Sequence, residues 1–143
     1  MTTNIPTGYE GIDFTGYKII ISDEESYCRL LYHIVFERSG AQVFEAGTAG
    51  DILKHLDENN DIDIIFLDAD LSDANIYQLI SDIKSGNERI LIAVHTAQLR
   101  LNKLRCFDAG CEIYIEKPFF CQPVMNRIQK HWQNTRLSAG IDN

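Results

Sequence analysis

Five short runs rich in Ile, Val, Phe and Tyr recur along this chain, each followed by a longer stretch with helical spacing, and that alternation leaves few folds open. The runs cover residues 18–22, 42–46, 62–67, 89–95 and 112–116. Their length and content of Ile, Val, Phe and Tyr predict strands. The first helical stretch, 25–38, places Tyr27, Leu31, Ile34 and Val35 at helical spacing, with Gly40 where a C-terminal stop belongs. The second opens at Thr48 as N-cap and carries Ile52, Leu53 and Leu56. The third opens near Ser72 or Asp73 and includes Ile76, Leu79, Ile80 and Ile83, ending before Gly86. The fourth sets Ala97, Leu101, Leu104 and Phe107 on one face and stops at Gly110; the fifth has Pro123 in its first turn, then Val124, Ile128 and Trp132. Strands alternating with helices predict right-handed crossovers and a parallel sheet, an α/β doubly wound fold.

A chain of 143 residues with 45% apolar and 24% charged residues holds one globular domain. Residues 1–16, rich in Gly, Thr and Pro, read as a leader, residues 17–135 as the domain and 136–143 as a short tail. The longest apolar run, Ile90 to Val94, is far below the roughly 18 residues needed to span a bilayer. The opening residues carry neither a basic region nor an apolar block, so the expectation is a soluble, cytoplasmic protein without a membrane partner. A net charge of −8 argues against direct nucleic-acid binding, which needs a basic face. Lys117, Arg127, Lys130 and Arg136 nonetheless lie in a stretch, 117–141, without Asp or Glu. That stretch is either a solvated helix face or a face on which a partner docks. Cys28, Cys106, Cys111 and Cys121 form no CxxC pair and read as reduced core thiols. Zinc on Cys106, Cys111, Cys121 and His131 satisfies a ligand count but not a finger-like spacing. His33 and His55 fall inside helical patterns and read as packing or surface residues.

The chemistry collects where such sheets bind ligands, at the carboxyl ends of the strands. The first strand is followed by Asp23, Glu24 and Glu25, the third by Asp68 and Asp70 with Asp73 close behind. The fourth ends in His95-Thr96-Ala97 and the fifth in Glu116-Lys117-Pro118, whereas the second offers only Gly47 and Thr48, as an edge strand would. Clustered carboxylates repel one another unless a cation sits among them, and an all-oxygen set with room for water suits Mg²⁺. A carboxylate on such a metal can attack a phosphoryl group and hold it as an acyl phosphate, with Lys117 and Thr96 placed to bind its oxygens.

The runs Ile19-Ile20-Ile21-Ser22-Asp23-Glu24-Glu25, Ile65-Phe66-Leu67-Asp68, Thr96-Ala97 and Tyr114-Ile115-Glu116-Lys117-Pro118-Phe119 together resemble the receiver (CheY-like) domain of two-component response regulators, over about residues 17–132. The resemblance implies a flavodoxin-like sheet in the order 2-1-3-4-5 and phosphorylation of Asp68 by a histidine kinase or phosphotransfer protein. It assigns Mg²⁺ to Asp23, Glu24, Asp68 and the backbone carbonyl of Asp70, phosphate contact to Lys117 and Thr96, and switch positions to Thr96 and Tyr114. A cis bond between Lys117 and Pro118 is expected. Phosphorylation is expected to draw the threonine inward, turn the aromatic ring in behind it, and change the affinity of the face made by the fourth helix, fifth strand and fifth helix for a downstream protein or a second copy. That face would carry Arg100, Lys103, Arg105, Arg127 and Lys130. Such a protein catalyses only its own phosphoryl transfer and dephosphorylation.

Four positions depart from the family pattern. The acidic pair is Asp-Glu rather than Asp-Asp, Ser72 stands where proline is frequent, Ile76 where glycine is frequent, and Asp70 adds a carboxylate beside the phosphate position. Repulsion by Asp70 is expected to slow or alter phosphoryl transfer. Tyr114 also reads as a half-buried strand aromatic with its hydroxyl in water. Two other functions share these residues. One is a non-phosphorylated pseudo-receiver; the other is a phosphatase of the haloacid dehalogenase type using Asp68-Ala69-Asp70, although that family places the motif on its first strand. A dinucleotide site lacks its glycines, since Ser-Asp-Glu-Glu follows the first strand.

Overall fold

The computed structural model describes residues 9–141, with side chains described through Thr135. Five parallel strands, β1 (Lys18–Ser22), β2 (Gln42–Ala46), β3 (Ile64–Asp68), β4 (Leu91–Thr96) and β5 (Ile113–Glu116), pair in the order 2-1-3-4-5. Five helices alternate with them: α1 (Ser26–Arg38), α2 (Ala49–Glu58), α3 (Ile76–Gly86), α4 (Lys103–Ala109) and α5 (Cys121–Ile141). This is the doubly wound, flavodoxin-like architecture expected from the alternation.

The period of two along each strand divides the core into two layers. Ile20, Ile65, Leu67, Ile92, Val94 and Tyr114 pack under α2, α3 and α4. Ile19, Ile21, Ile64, Phe66, Ala93, Ile113 and Ile115 pack under α1 and α5. Central strands buried on both faces need apolar residues at every position, which is why β1 and β3 read as continuous runs.

The bounds of β1 and β2 are as expected, and the other boundaries shift by one to six residues. β3 and β4 begin two residues later than expected and extend to Asp68 and Thr96, because the ladder continues through Asp68↔His95. Helix α3 starts at Ile76, not near Ser72 or Asp73: Asn75 caps it by accepting from Gln78 N–H, while Asp73 accepts from Ala49 and Gly50 N–H at the start of α2. Helix α4 starts at Lys103 under an Asn102 cap, so of the four residues expected on one of its faces Ala97 and Leu101 lie before it, and Leu104 and Phe107 are exposed. Thr48 caps α2 as expected, accepting from Asp51 N–H.

The face of α1 is also corrected. Tyr32 and Phe36 are its buried residues, with Cys28 and Val35 half-buried beside them, whereas Tyr27, Leu31 and Ile34 face solvent. Two apolar stripes overlap on this helix, and contact with Phe66 and Phe14 selects Tyr32 and Phe36.

Of the stretch read as a leader, residues 1–8 lie outside the described residues. Residues 9–16 form no helix or strand, yet Ile12 and Phe14 are buried in the α1/α5 layer. Gln129 of α5 accepts from Asp13 N–H at 2.7 Å and donates to the Gly11 carbonyl at 2.8 Å, and Phe14 N–H donates to the Ser39 carbonyl. At the other end, α5 continues to Ile141 through most of the expected tail. Among the described residues no helix is long and apolar enough to cross a membrane.

Candidate functional site

The order 2-1-3-4-5 reverses direction between β1 and β3, and in open sheets of this kind ligands bind in the crevice at that point, above the carboxyl ends of the strands. Asp23, Asp68, Asp70, Thr96 and Lys117 meet at this point. Ser22 sets the register of the two central strands: its hydroxyl donates to the Phe66 carbonyl at 3.1 Å and accepts from Asp68 N–H at 2.8 Å. Asp68 therefore sits at a strand end held by Ser22 on the β1 side and, through Ala69 N–H donating to the His95 carbonyl, by β4 on the other.

Asp23 and Asp68 are each 1% exposed and share the Lys117 ammonium, at 3.3 Å and 3.1 Å. Burial opposes a charge on Lys117, but Asp68, Asp23 and Asp70 outweigh it and hold its pKa above the ordinary lysine value. The other lone pairs of the carboxylates are also engaged. Asp23 accepts from Glu25 N–H at 2.9 Å and from the Tyr32 hydroxyl at 3.2 Å; Asp68 accepts from Glu24 N–H at 3.1 Å and Asp70 N–H at 2.8 Å. The expected cis bond joins Lys117 to Pro118.

Two further carboxylates take hydrogen-bond partners across the loops. Glu24 extends across the crevice and accepts from Ser72 N–H at 2.5 Å, so its carboxylate ties the β1 loop to the β3 loop. The Asp70 side chain does not merely add charge: it accepts from the Thr96 hydroxyl at 2.6 Å and Ala97 N–H at 2.8 Å, with Lys117 3.5 Å away. Burial alone would raise its pKa, but the Ala97 and Thr96 donors and Lys117 hold it below the usual carboxylate value.

Tyr114 is 8% exposed, on the same face as Thr96, with Lys103 5.6 Å from its ring centroid. Arg100, Lys103, Arg105, Arg127 and Lys130 are all exposed, and Arg127 reaches the Tyr114 carbonyl at 3.5 Å. A hollow lined by Lys103, Tyr114, Phe119, Phe120, Val124 and Arg127 lies among them, with Phe120 84% exposed.

Three residues of the site escaped sequence reasoning: Ser22, Tyr32 and His95. Ser22 had a signal, a lone hydroxyl closing an Ile run just before the acids. Tyr32 and His95 are brought in by packing. His95 is fully buried with its ring 4.2 Å from Phe66 and near Tyr32 and Phe119, and neither ring nitrogen has a hydrogen-bond partner. The zinc set does not assemble: Cys106 and Cys111 are buried core thiols, and no group of three or more His, Cys, Asp or Glu is preformed as a metal cage among the described residues.

A five-stranded sheet with buried carboxylates and a lysine at its switch point defines a class, and the chain belongs to it: the model of the response regulator receiver domain family matches residues 19–129. Members of this family generally work between a kinase and a downstream effector and are not enzymes in the ordinary sense. The transcriptional regulatory protein SrrA of Staphylococcus aureus is 25% identical over 122 residues, which cover 85% of this chain and 50% of that protein. The chain thus spans about half the length of the curated relatives it matches. Its fold is that of a receiver domain protein from Clostridium thermocellum (TM-score 0.77, 23% identity, 85% of this chain and 98% of that one). It is also that of a CheY-like receiver protein from Methanospirillum hungatei (TM-score 0.79, 22% identity, 85% and 98%).

Proposed function

We propose that Asp68 accepts a phosphoryl group from a histidine kinase or phosphotransfer protein, and that Thr96 and Tyr114 pass the change to the face formed by α4, β5 and α5. The observation that carries this reading is the pair of buried carboxylates, Asp23 and Asp68, sharing the single ammonium of Lys117. With Asp70, three carboxylates surround the one ammonium of Lys117, a negative excess that a divalent cation balances. The donor set fits Mg²⁺: Asp23, Asp68 and the Asp70 carbonyl are hard oxygen ligands, and Glu24, one of whose carboxylate oxygens accepts from Ser72 N–H, would be a further one. When bound, Mg²⁺ neutralises charge on the incoming phosphoryl oxygens.

The protein's own part is positioning and charge. A carboxylate oxygen of Asp68 attacks phosphorus, the bond from phosphorus to the donor nitrogen or oxygen breaks, and the leaving group keeps the electron pair. Lys117 stays protonated and pairs with the phosphoryl oxygens, while the Thr96 hydroxyl and Ala97 N–H are the nearest further donors. The basic residues around Tyr114 favour an acidic downstream protein or a second copy of the chain as the partner of that face. The same chemistry weighs against a phosphatase that uses Asp70 as general acid, since an Asp70 held ionised has no proton to give near neutrality.

The test is intact mass after incubation with acetyl phosphate and Mg²⁺. The wild type is expected to gain one phosphoryl group, and Asp68→Asn or excess chelator to abolish the gain. No gain with Mg²⁺ demonstrably bound would transfer the function to a non-phosphorylated interaction module.

A further inference from the structure

The groups best placed to bind phosphoryl oxygens already hold an anion, and it belongs to the chain itself. The Thr96 hydroxyl donates to one oxygen of Asp70 at 2.6 Å, Ala97 N–H donates to the other at 2.8 Å, and Lys117 lies 3.5 Å from that second oxygen. The same ammonium is 3.1 Å from Asp68, so a group bonded to Asp68 reaches the donors that Asp70 now uses. Thr96 is fixed from its other side as well, because its oxygen accepts from Gln98 N–H at 3.0 Å.

The neighbouring strand agrees with this occupancy. Val94 pairs with Tyr114 and Thr96 with Glu116, so Thr96 and Tyr114 lie on the same sheet face of adjacent strands. With the hydroxyl turned to Asp70, the Tyr114 ring is buried, and Lys103 lies over it. Asp70 itself is at the rim, its side chain 22% exposed, and has a path to water if displaced.

We propose that the Asp70 carboxylate is a built-in occupant of the phosphoryl oxyanion site, which holds Thr96 and Tyr114 in their inward arrangement before phosphorylation and competes with the incoming group for Thr96, Ala97 and Lys117. This rests on the receiver reading of Asp68. It replaces simple repulsion with a specific exchange: when the phosphoryl group arrives, the Thr96 hydroxyl and Ala97 N–H pass from Asp70 to its oxygens, and the Asp70 carboxylate turns outward. The unphosphorylated protein then already holds part of the switched conformation, and the phosphoryl group adds less than it would in a receiver with an empty oxyanion site.

The experiment titrates the full chain, its Asp70→Asn variant and its Asp70→Ala variant with beryllium fluoride in saturating Mg²⁺. The Ala97 amide and Tyr114 ring resonances are followed, and acetyl phosphate labelling of the same three proteins is read by intact mass. Circular dichroism checks the fold, and the Asn variant keeps the side-chain shape where Ala loosens the loop. The half-saturating beryllium fluoride concentration is expected to fall about tenfold in both variants, the scale of one charge-assisted hydrogen bond no longer given up. The Ala97 and Tyr114 signals of the unliganded variants are expected to move away from their wild-type positions. Equal midpoints in the three proteins overturn the proposal even if resonances move, and leave the receiver reading standing where Asp68 is still labelled. Absence of both binding and labelling in all three folded proteins overturns the receiver reading, and the role of Asp70 with it.

Discussion

His95 shows how much of this molecule is decided residue by residue. It closes an apolar strand beside the site, fully buried among Phe66, Tyr32 and Phe119 with both ring nitrogens unpaired. Burial first, and the Lys117 ammonium second, push its pKa down to about 3. Between that value and 6.5 the unfolded chain binds a proton that the folded one refuses, so stability falls on acidification, by about 1.4 kcal/mol per pH unit below 6.5. Replacing His95 with Leu should remove this part of the acid limb and add about 1 kcal/mol at neutral pH, since an unpaired buried polar group disappears. Urea midpoints of both proteins at pH 4.5 and pH 7, values taken as roughly inside and above that window, check it: the gap must widen at the lower pH. His33 works with the opposite sign. Its ring nitrogens meet Glu45 at 2.7 Å and Glu37 at 2.9 Å. Burial would lower its pKa, but these carboxylates prevail and raise it, so its contribution is full below 6.5 and is lost as pH rises through the raised value. His33→Gln should therefore cost about 0.5 kcal/mol near pH 6 and almost nothing well above the raised value, given how open the pair is to solvent. Urea midpoints at the two ends of that range decide it.

Among the elements, α1 and the segment before β1 carry the clearest energetic contrast. Phe14 belongs to no helix or strand, yet it is fully buried with its ring 5.5 Å from both Tyr17 and Phe36. Phe14→Ala should cost about 3–5 kcal/mol, as any buried Phe does. Leu31, in the apolar stripe that faces water, is 49% exposed, and Leu31→Lys should stay within about 0.5 kcal/mol of wild type. Chemical denaturation of the two variants tests both values, and a mild Phe14→Ala would return residues 9–16 to the status of an appendage. Periodicity could not separate the two stripes of α1, because Tyr27-Leu31-Ile34 and Tyr32-Phe36 both recur at helical spacing. Helix α4 resists reading from periodicity for a related reason: at seven residues with only Cys106 buried, it has too little core contact for its apolar residues to mark its inner face.

For the molecule as a whole, the strands and their polar ends were legible in the sequence. A strand buried on both faces must be apolar until it leaves the sheet, and at that boundary a polar residue becomes free to serve chemistry. Alternation of such runs with amphipathic stretches is enough for the parallel doubly wound fold, and the residues following four of the runs include Asp23, Asp68, Asp70, Thr96 and Lys117. What no spacing states is which donor each acid takes. The Glu24 carboxylate accepts from Ser72 N–H and the Asp70 carboxylate from Thr96 and Ala97, pairings between residues 26 to 48 positions apart in the chain. The burial of His95 and Phe14 has the same origin, since each is covered by elements distant in the chain. The sheet and the polar groups at its strand ends are written in local periodicity and residue identity. How those groups pair follows from the packed fold, because pairing energies depend on separations of a few ångströms that packing alone sets.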